Sequence, residues 1–339
     1  MKILVTGGAG FIGSHTVVEL VNAGYDPVII DNFDNSEKSV LDGLQKILQR
    51  PIKCYEKDCN DAEALEQICK DENIEGIIHF AAYKAVGESV EKPLKYYENN
   101  IGSTLKVLEV MLKLGIKNLV FSSSCTVYGQ PDEIPVTEDT PRKPAASPYG
   151  NTKTICEDIL RDTITAGNPL KIIALRYFNP IGAHPSAHIG ELPRGVPSNL
   201  VPFITQTAIG IRQKLTVFGN DYDTPDGTNV RDFIHVVDLA KAHVSALKLL
   251  ANQQDKYYDV FNVGTGRGNT VLEIIEAFEK VNKLKLNYEI GPRRPGDVEK
   301  IYGSVEKSGT IMGWKTEKTL EDSVADAWRW EQKIAENKK

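Results

Sequence analysis

The stretch Ile3-Leu4-Val5-Thr6-Gly7-Gly8-Ala9-Gly10-Phe11-Ile12-Gly13 runs an aliphatic segment into a glycine-rich turn and then into an apolar helix start. The aliphatic residues predict a first strand ending at Thr6, and the glycines follow as G-x-x-G-x-x-G rather than the commoner G-x-G-x-x-G. Each glycine has a physical use. Gly7 permits the tight turn, Gly10 lets the backbone approach a pyrophosphate, and Gly13 allows close packing of helix on sheet, with the helix N-terminus facing the phosphates. A flexible turn is the plain alternative for a glycine triplet, and the strand-turn-helix context argues against it. Asp31 ends the second expected strand, where its carboxylate can accept hydrogen bonds from both adenosine ribose hydroxyls and would repel a 2′-phosphate. The cofactor expected from these residues is NAD in preference to NADP.

Working outward, β-branched runs at Ile3 to Thr6, Val28 to Asp31, Ile52 to Lys57, Gly76 to Phe80, Asn118 to Ser123 and Leu170 to Arg176 alternate with helix-length segments. Such alternation requires right-handed crossovers and gives a parallel sheet covered on both faces. The expected fold is α/β, a doubly wound parallel Rossmann sheet over residues 1–180. Prolines and glycines cluster from Ile181 to Pro202 and from Gly219 to Asn229, a texture of loops shaped around a ligand. Residues 181–339 are therefore expected to form a smaller α/β substrate-binding lobe, with some chain crossing back. Asp238 to Leu250 and Val271 to Val281 are expected to supply that lobe's core.

Composition narrows the function classes. The 339 residues are 41% hydrophobic and 25% charged, enough for a sizeable core, and the longest apolar stretches have strand length, well short of a membrane span. The net charge of -6 gives no global field for nucleic acid or acidic lipid. The five cysteines form an odd set with no C-x-x-C pair, which fits free thiols in a reducing compartment. Pro185 between His184 and His188 speaks against a shared helical face for metal binding. A cytoplasmic protein without a metal site, nucleic-acid partner or membrane anchor is expected.

Tyr149-Gly150-Asn151-Thr152-Lys153 places a phenol and an ammonium one helical turn apart on one face. A tyrosine acting as a base near neutral pH must lose about three pKa units, or ~4 kcal/mol of preferential phenolate stabilisation, and Lys153 with an oxidised nicotinamide can provide that positive potential. Alone, Y-x-x-x-K is a common pattern. Ser122-Ser123-Ser124 adds context, because it ends an expected parallel strand at the sheet edge where ligands bind. Ser124 can hydrogen-bond the substrate hydroxyl that Tyr149 deprotonates, while Ser122 and Ser123 are also compatible with simple capping of the strand.

Further segments join these motifs: Asp31-Asn32, Lys84 to Ser89, Phe121 to Gly129, Ser147 to Lys153, Arg176 to Pro180, Phe218 to Asp221, Val230 to Asp232 and Arg293 to Asp297. Together they resemble the extended short-chain dehydrogenase/reductases, and within them the UDP-glucose 4-epimerase family, over nearly the full length. The resemblance implies that Gly7, Gly10, Phe11, Ile12, Gly13, Asp31, Asn32, Asn35, Ser36, Asp58, Cys59, Phe80, Ala81, Ala82, Lys84, Asn99, Ser122, Tyr149, Lys153 and Phe178 line the NAD site. It implies that Asn179, Asn199, Leu200, Thr216, Val217, Phe218, Arg231, Arg294 and Asp297 hold the UDP-hexose, with Ser124, Tyr149 and Ile301 at the sugar. Arg231 and Arg294 suit a pyrophosphate because guanidinium gives planar, charge-assisted contacts.

The implied reaction is reversible inversion at the sugar C4 through a 4-keto intermediate, with tightly bound NAD and Tyr149, Lys153 and Ser124 as catalytic residues. Ile301 falls where such enzymes carry a size gate, so N-acetylated sugars are expected as additional substrates. A homodimer is implied, with helices Ser89 to Lys113 and Pro148 to Ala166 at its interface. A related 4,6-dehydratase would need an acid and base directly after Ser124, where this chain has Cys125 and Thr126. A non-catalytic NAD-binding regulator could dispense with the Ser124, Tyr149 and Lys153 set that is present here.

Overall fold

The computed structural model describes residues 1–294 and 297–337. Strands β1 (Lys2–Thr6), β2 (Asp26–Asp31), β3 (Lys53–Glu56), β4 (Gly76–His79), β5 (Asn118–Ser122) and β6 (Lys171–Tyr177) alternate with α1 (Phe11–Asn22), α2 (Ser39–Leu48), α3 (Ala62–Asp71), α4 (Val86–Glu91), α5 (Pro93–Leu114) and α6 (Pro148–Thr165). All the strands pair in parallel, β3-β2-β1-β4-β5-β6, and each expected strand is present. Ile3, Val5 and Ile29 pack into one hydrophobic cluster while Leu4, Val28 and Ile30 pack into the other. A parallel sheet buried on both faces selects such runs without polar alternation.

A seventh parallel strand, Tyr257–Val263, pairs with β6 and completes the sheet. The helix Val236–Ala251 comes with it. Leu239, Ala242, Leu247 and Leu250 join Val17 and Val18 in the main core. Asp238 to Leu250 thus covers the Rossmann sheet instead of coring the smaller lobe, because its aliphatic face matches the sheet face that α1 leaves open. The smaller lobe's core is Val201, Ile204, Ile274, Ile275, Phe278 and Val324, from helices Leu200–Ala208, Val271–Asn282 and Leu320–Asn337. Helix Val271–Asn282 begins with a capping box between Thr270 and Glu273, which pairs the amides of both residues. Among the described residues, no helix is long and apolar enough to cross a membrane.

Candidate active site

A cleft of about 340 Å³ lies at the glycine turn and the residues following β2 and β4, where β1 and β4 adjoin and the strand order reverses. Gly7 sits at φ 67°, and a Cβ on Gly13 would stand 2.3 Å from the Gly7 carbonyl oxygen. Only glycine fits both places. Gly10 is the N-cap of α1 and has no capping side chain, so the first-turn amides beside the cleft are left for a ligand.

Asp31 is buried at the end of β2. Its carboxylate accepts from the amides of Ala9 and Phe33 and from the Ser36 hydroxyl at 2.8–2.9 Å. Gly10, Phe11, Ile12, Asn35, Cys59, Phe80, Ala82 and Ser122 also border the cleft. Asn32 donates to Asp58 at 3.0 Å, Asn60 donates to Asn99 at 3.2 Å, and Lys84 pairs with Glu191 at 3.3 Å. A glycine cradle with free amides at one point and a carboxylate anchor at the next strand end fits a dinucleotide.

Two expected cofactor residues lie outside the cleft wall. Ala81 backs the Gly7 turn, its amide donating to Thr6 Oγ1 at 3.3 Å. Phe178 is buried in a cluster with Cys125, Tyr128, Val136 and Ile301.

The expected catalytic pair is placed by α6. Ser147 caps the helix by accepting from the Gly150 amide at 3.2 Å, and Pro148 opens its first turn. Tyr149 and Lys153 are buried and border the cleft. Lys153 Nζ donates to the Ser122 carbonyl at 2.7 Å and lies 4.9 Å from the Phe121 ring centroid. The Ser124 hydroxyl accepts from the Thr126 amide at 3.2 Å and lies within electrostatic reach of the Tyr149 phenol.

Burial holds the Tyr149 phenol well above its ordinary range, Tyr177 adds to this, and Ser124 opposes it. The Lys153 ammonium is pushed down to about 8 by burial, against the pull of Cys156 and Glu157. The phenol shift is expected from Lys153 together with an oxidised nicotinamide, and the side chains by themselves do not produce it. Desolvation outweighs them, and phenolate formation needs a further positive charge in the cleft.

The expected UDP residues gather mostly elsewhere. Asn199 borders the cleft and donates to Glu191 at 2.6 Å. Asn179 begins the short strand Asn179–Ile181, and Leu200 begins its helix. In the smaller lobe Arg294 pairs with Asp297 at 2.7 Å and lies 5.5 Å from the Phe218 ring centroid. Arg231 is within electrostatic reach of Asp297, Arg294, Tyr222 and Cys125, which ties this group to the residue after Ser124. Ile301 pairs with Arg231 in the strand register. Thr216 shares the strand Leu215–Phe218 with Val217, whose side chain is buried in the lobe core. Pro295 and Gly296 of the Arg293 to Asp297 motif lie outside the described residues.

Sequence reading missed several groups at the cleft. Tyr177, at the end of β6, places its hydroxyl 2.9 Å from Ser122 Oγ; its position at a strand's C-terminal edge was an available signal. Arg194 reaches across from the smaller lobe and donates to the carbonyls of Phe33, Asp34 and Ser36, at 2.8 Å for Phe33 and 2.7 Å for Ser36. Tyr83 donates to Asp34 at 2.7 Å. Spacing along the chain carries no trace of those last two contacts.

The family model described as GDP-mannose 4,6 dehydratase matches residues 4–327. The acid and base expected of a dehydratase directly after Ser124 are not at those two positions. Cys125 is a buried thiol pushed up to about 12 by desolvation, and Thr126 has no acidic group. A UDP-glucose 4-epimerase of Bacillus subtilis is 50% identical over 331 residues, covering 98% of this chain and 97% of the relative. The crystal structure of a Bifidobacterium longum UDP-glucose 4-epimerase in complex with NAD+ and UDP matches with a TM-score of 0.95 at 47% identity, covering 99% of each chain. The UDP-Glc/GlcNAc 4-epimerase of Campylobacter jejuni matches with a TM-score of 0.84 at 37% identity, covering 98% of this chain and 99% of that one. This chain belongs to the extended short-chain dehydrogenase/reductases and, among them, to the UDP-glucose 4-epimerase family.

Proposed function

We propose that this chain is an NAD-dependent isomerase that reversibly interconverts UDP-glucose and UDP-galactose at C4 through a 4-keto sugar. The observation that carries the reading is the placement of Tyr149 and Lys153, one helical turn apart, on the wall of a cleft floored by the glycine turn, with Ser124 within electrostatic reach of the phenol. Asp31, Asn32, Asn35, Asp58, Lys84 and Asn99 would hold the dinucleotide, and the chemistry it supplies when bound is acceptance and return of the C4 hydride. Tyr149 takes and returns the proton at the sugar O4, while Ser124 holds that oxygen. Lys153 contributes positive potential to the phenolate. Arg231, Arg294, Asp297, Phe218 and Asn199 grip the UDP part, leaving the hexose few fixed contacts so that the keto sugar can turn over about its pyrophosphate link.

Ile301 is the size gate of this site. Support comes from its register with Arg231 and its packing in the cluster that contains Cys125, next to Ser124. UDP-N-acetylglucosamine and UDP-N-acetylgalactosamine are accordingly further substrates. Residues 1–180 carry the cofactor and 181–339 the UDP-sugar, with the helix and strand at 236–263 crossing back. The protein works as a homodimer in the cytoplasm. The dimer reading is supported by Leu94, Leu105 and Leu112, which leave apolar surface exposed on α5, and the compartment by five free cysteines. The reaction consumes no net redox equivalents, so desalted protein should invert UDP-galactose without added NAD. An absolute need for stoichiometric NAD or NADH would indicate a dehydrogenase or reductase instead.

A further inference from the structure

Three side chains of one α6 face, Tyr149, Lys153 and Glu157, are spaced four residues apart and lie against the three consecutive serines that follow β5 or end it. Tyr149 is within electrostatic reach of Ser124, Lys153 donates to the Ser122 carbonyl at 2.7 Å, and Glu157 accepts from the Ser123 hydroxyl at 2.5 Å. The third contact has no part in the chemistry above. Ser123 and Glu157 are fully buried, and the carboxylate is fixed from its other side by Arg176 of β6, at 3.0 Å from Nε and 2.7 Å from Nη2. Arg176 also donates to Tyr128 Oη at 3.1 Å, and Tyr128 donates to Asn262 of the seventh strand at 2.6 Å. A satisfied buried ionic network of this kind holds geometry more than it adds stability. It links α6, the residue that follows β5, β6 and the seventh strand, one helical turn from the Lys153 contact with Ser122.

We propose that Ser123 and Glu157 are positioning residues that set the register between β5 and α6 on which Tyr149 and Lys153 depend. The assignment rests on the epimerase reading for its kinetic test and on geometry for its spectroscopic one. Ser123→Ala removes the tie and leaves Glu157 paired with Arg176, so the fold keeps its ionic network. Displacing a catalytic group by a fraction of an ångström lowers turnover without weakening grip on a distant nucleotide, so kcat should fall roughly 10- to 100-fold. KM for UDP-galactose and bound NAD should stay at wild-type values, and Tm should fall only by the few degrees expected of one lost buried hydrogen bond.

Tyrosine ¹³Cζ NMR of the NAD-loaded protein, with Tyr149 identified by its loss in Tyr149→Phe, reads ionisation without turnover. Tyr149 is faced by Tyr96 of α5, Cys125 after β5 and Tyr177 of β6, with Lys153 on its own helix. In Ser123→Ala its midpoint should move to higher pH as Lys153 loses its fixed place. Wild-type kcat in Ser123→Ala, an unmoved Tyr149 midpoint, or a joint loss of kcat, KM and bound NAD overturns the assignment. Failure of the wild type to invert UDP-galactose would defeat the epimerase reading instead, and the NMR midpoint would still decide this one.

Discussion

Replacing Lys153 by Met should stabilise the nucleotide-free fold at neutral pH while abolishing turnover. Lys153 is 4% exposed, and its ammonium is met by the Ser122 carbonyl at 2.7 Å with no carboxylate of the described residues in contact. Lowering its pKa from 10.5 to about 8 corresponds to roughly 3 kcal/mol of disfavoured charge. Loss of the hydrogen bond to Ser122 takes back about 1 kcal/mol, so a net gain of roughly 2 kcal/mol is expected at pH 7. The sign with pH follows from proton binding. Between about 8 and 10.5 the unfolded chain keeps the lysine proton that the folded chain has released, so wild-type stability rises with pH across that window. The Met variant lacks the rise, and its advantage should disappear by pH 10. Urea unfolding of both proteins at pH 7 and pH 10, alongside activity, measures this. A Met variant that is less stable at pH 7, or an advantage that persists at pH 10, would refute the reasoning that Lys153 is a desolvated cation kept for its charge.

Tyr149→Phe should lower kcat about 10²- to 10⁴-fold with NAD still bound, since the ring packing survives and the proton acceptor is gone; wild-type-like turnover would remove Tyr149 as the base. Arg194→Ala cuts the hydrogen bonds that tie the smaller lobe to the loop after β2, so NAD should leave faster in a dilution experiment, and an unchanged release rate would show that the tie does not retain it. Ile301→Tyr should lose activity on the N-acetylated sugars more than on UDP-galactose, compared as kcat/KM for both pairs. Equal loss on both would mean that the larger ring merely disrupts the buried cluster around Ile301.

What was legible in the sequence followed from local rules. The six strands of the first half are continuous aliphatic runs, and the glycine turn and Asp31 announce themselves because backbone sterics and strand ends dictate them. The Tyr149 to Lys153 spacing is likewise local to one helix. What escaped was set by contacts distant in sequence. Strand Tyr257–Val263 carries Tyr257, Tyr258 and Asp259, which read as surface, yet it pairs with β6 eighty-six residues earlier, as in Tyr257 with Lys171. Arg194 meets a loop 158 to 161 residues away, and Glu157 meets Ser123 across two elements. Even the phenol's direction of shift needed the fold, because burial decides it and burial is not written in a five-residue motif.

The most direct test is proton NMR of UDP-galactose incubated with the desalted protein, with neither nicotinamide nucleotide nor reductant added. The anomeric signal of UDP-glucose should grow until a fixed ratio is reached, the same ratio should be approached from UDP-glucose, and total UDP-hexose should stay constant. Unchanged UDP-galactose with NAD bound to the protein, or accumulation of an oxidised or dehydrated sugar, would contradict C4 epimerisation.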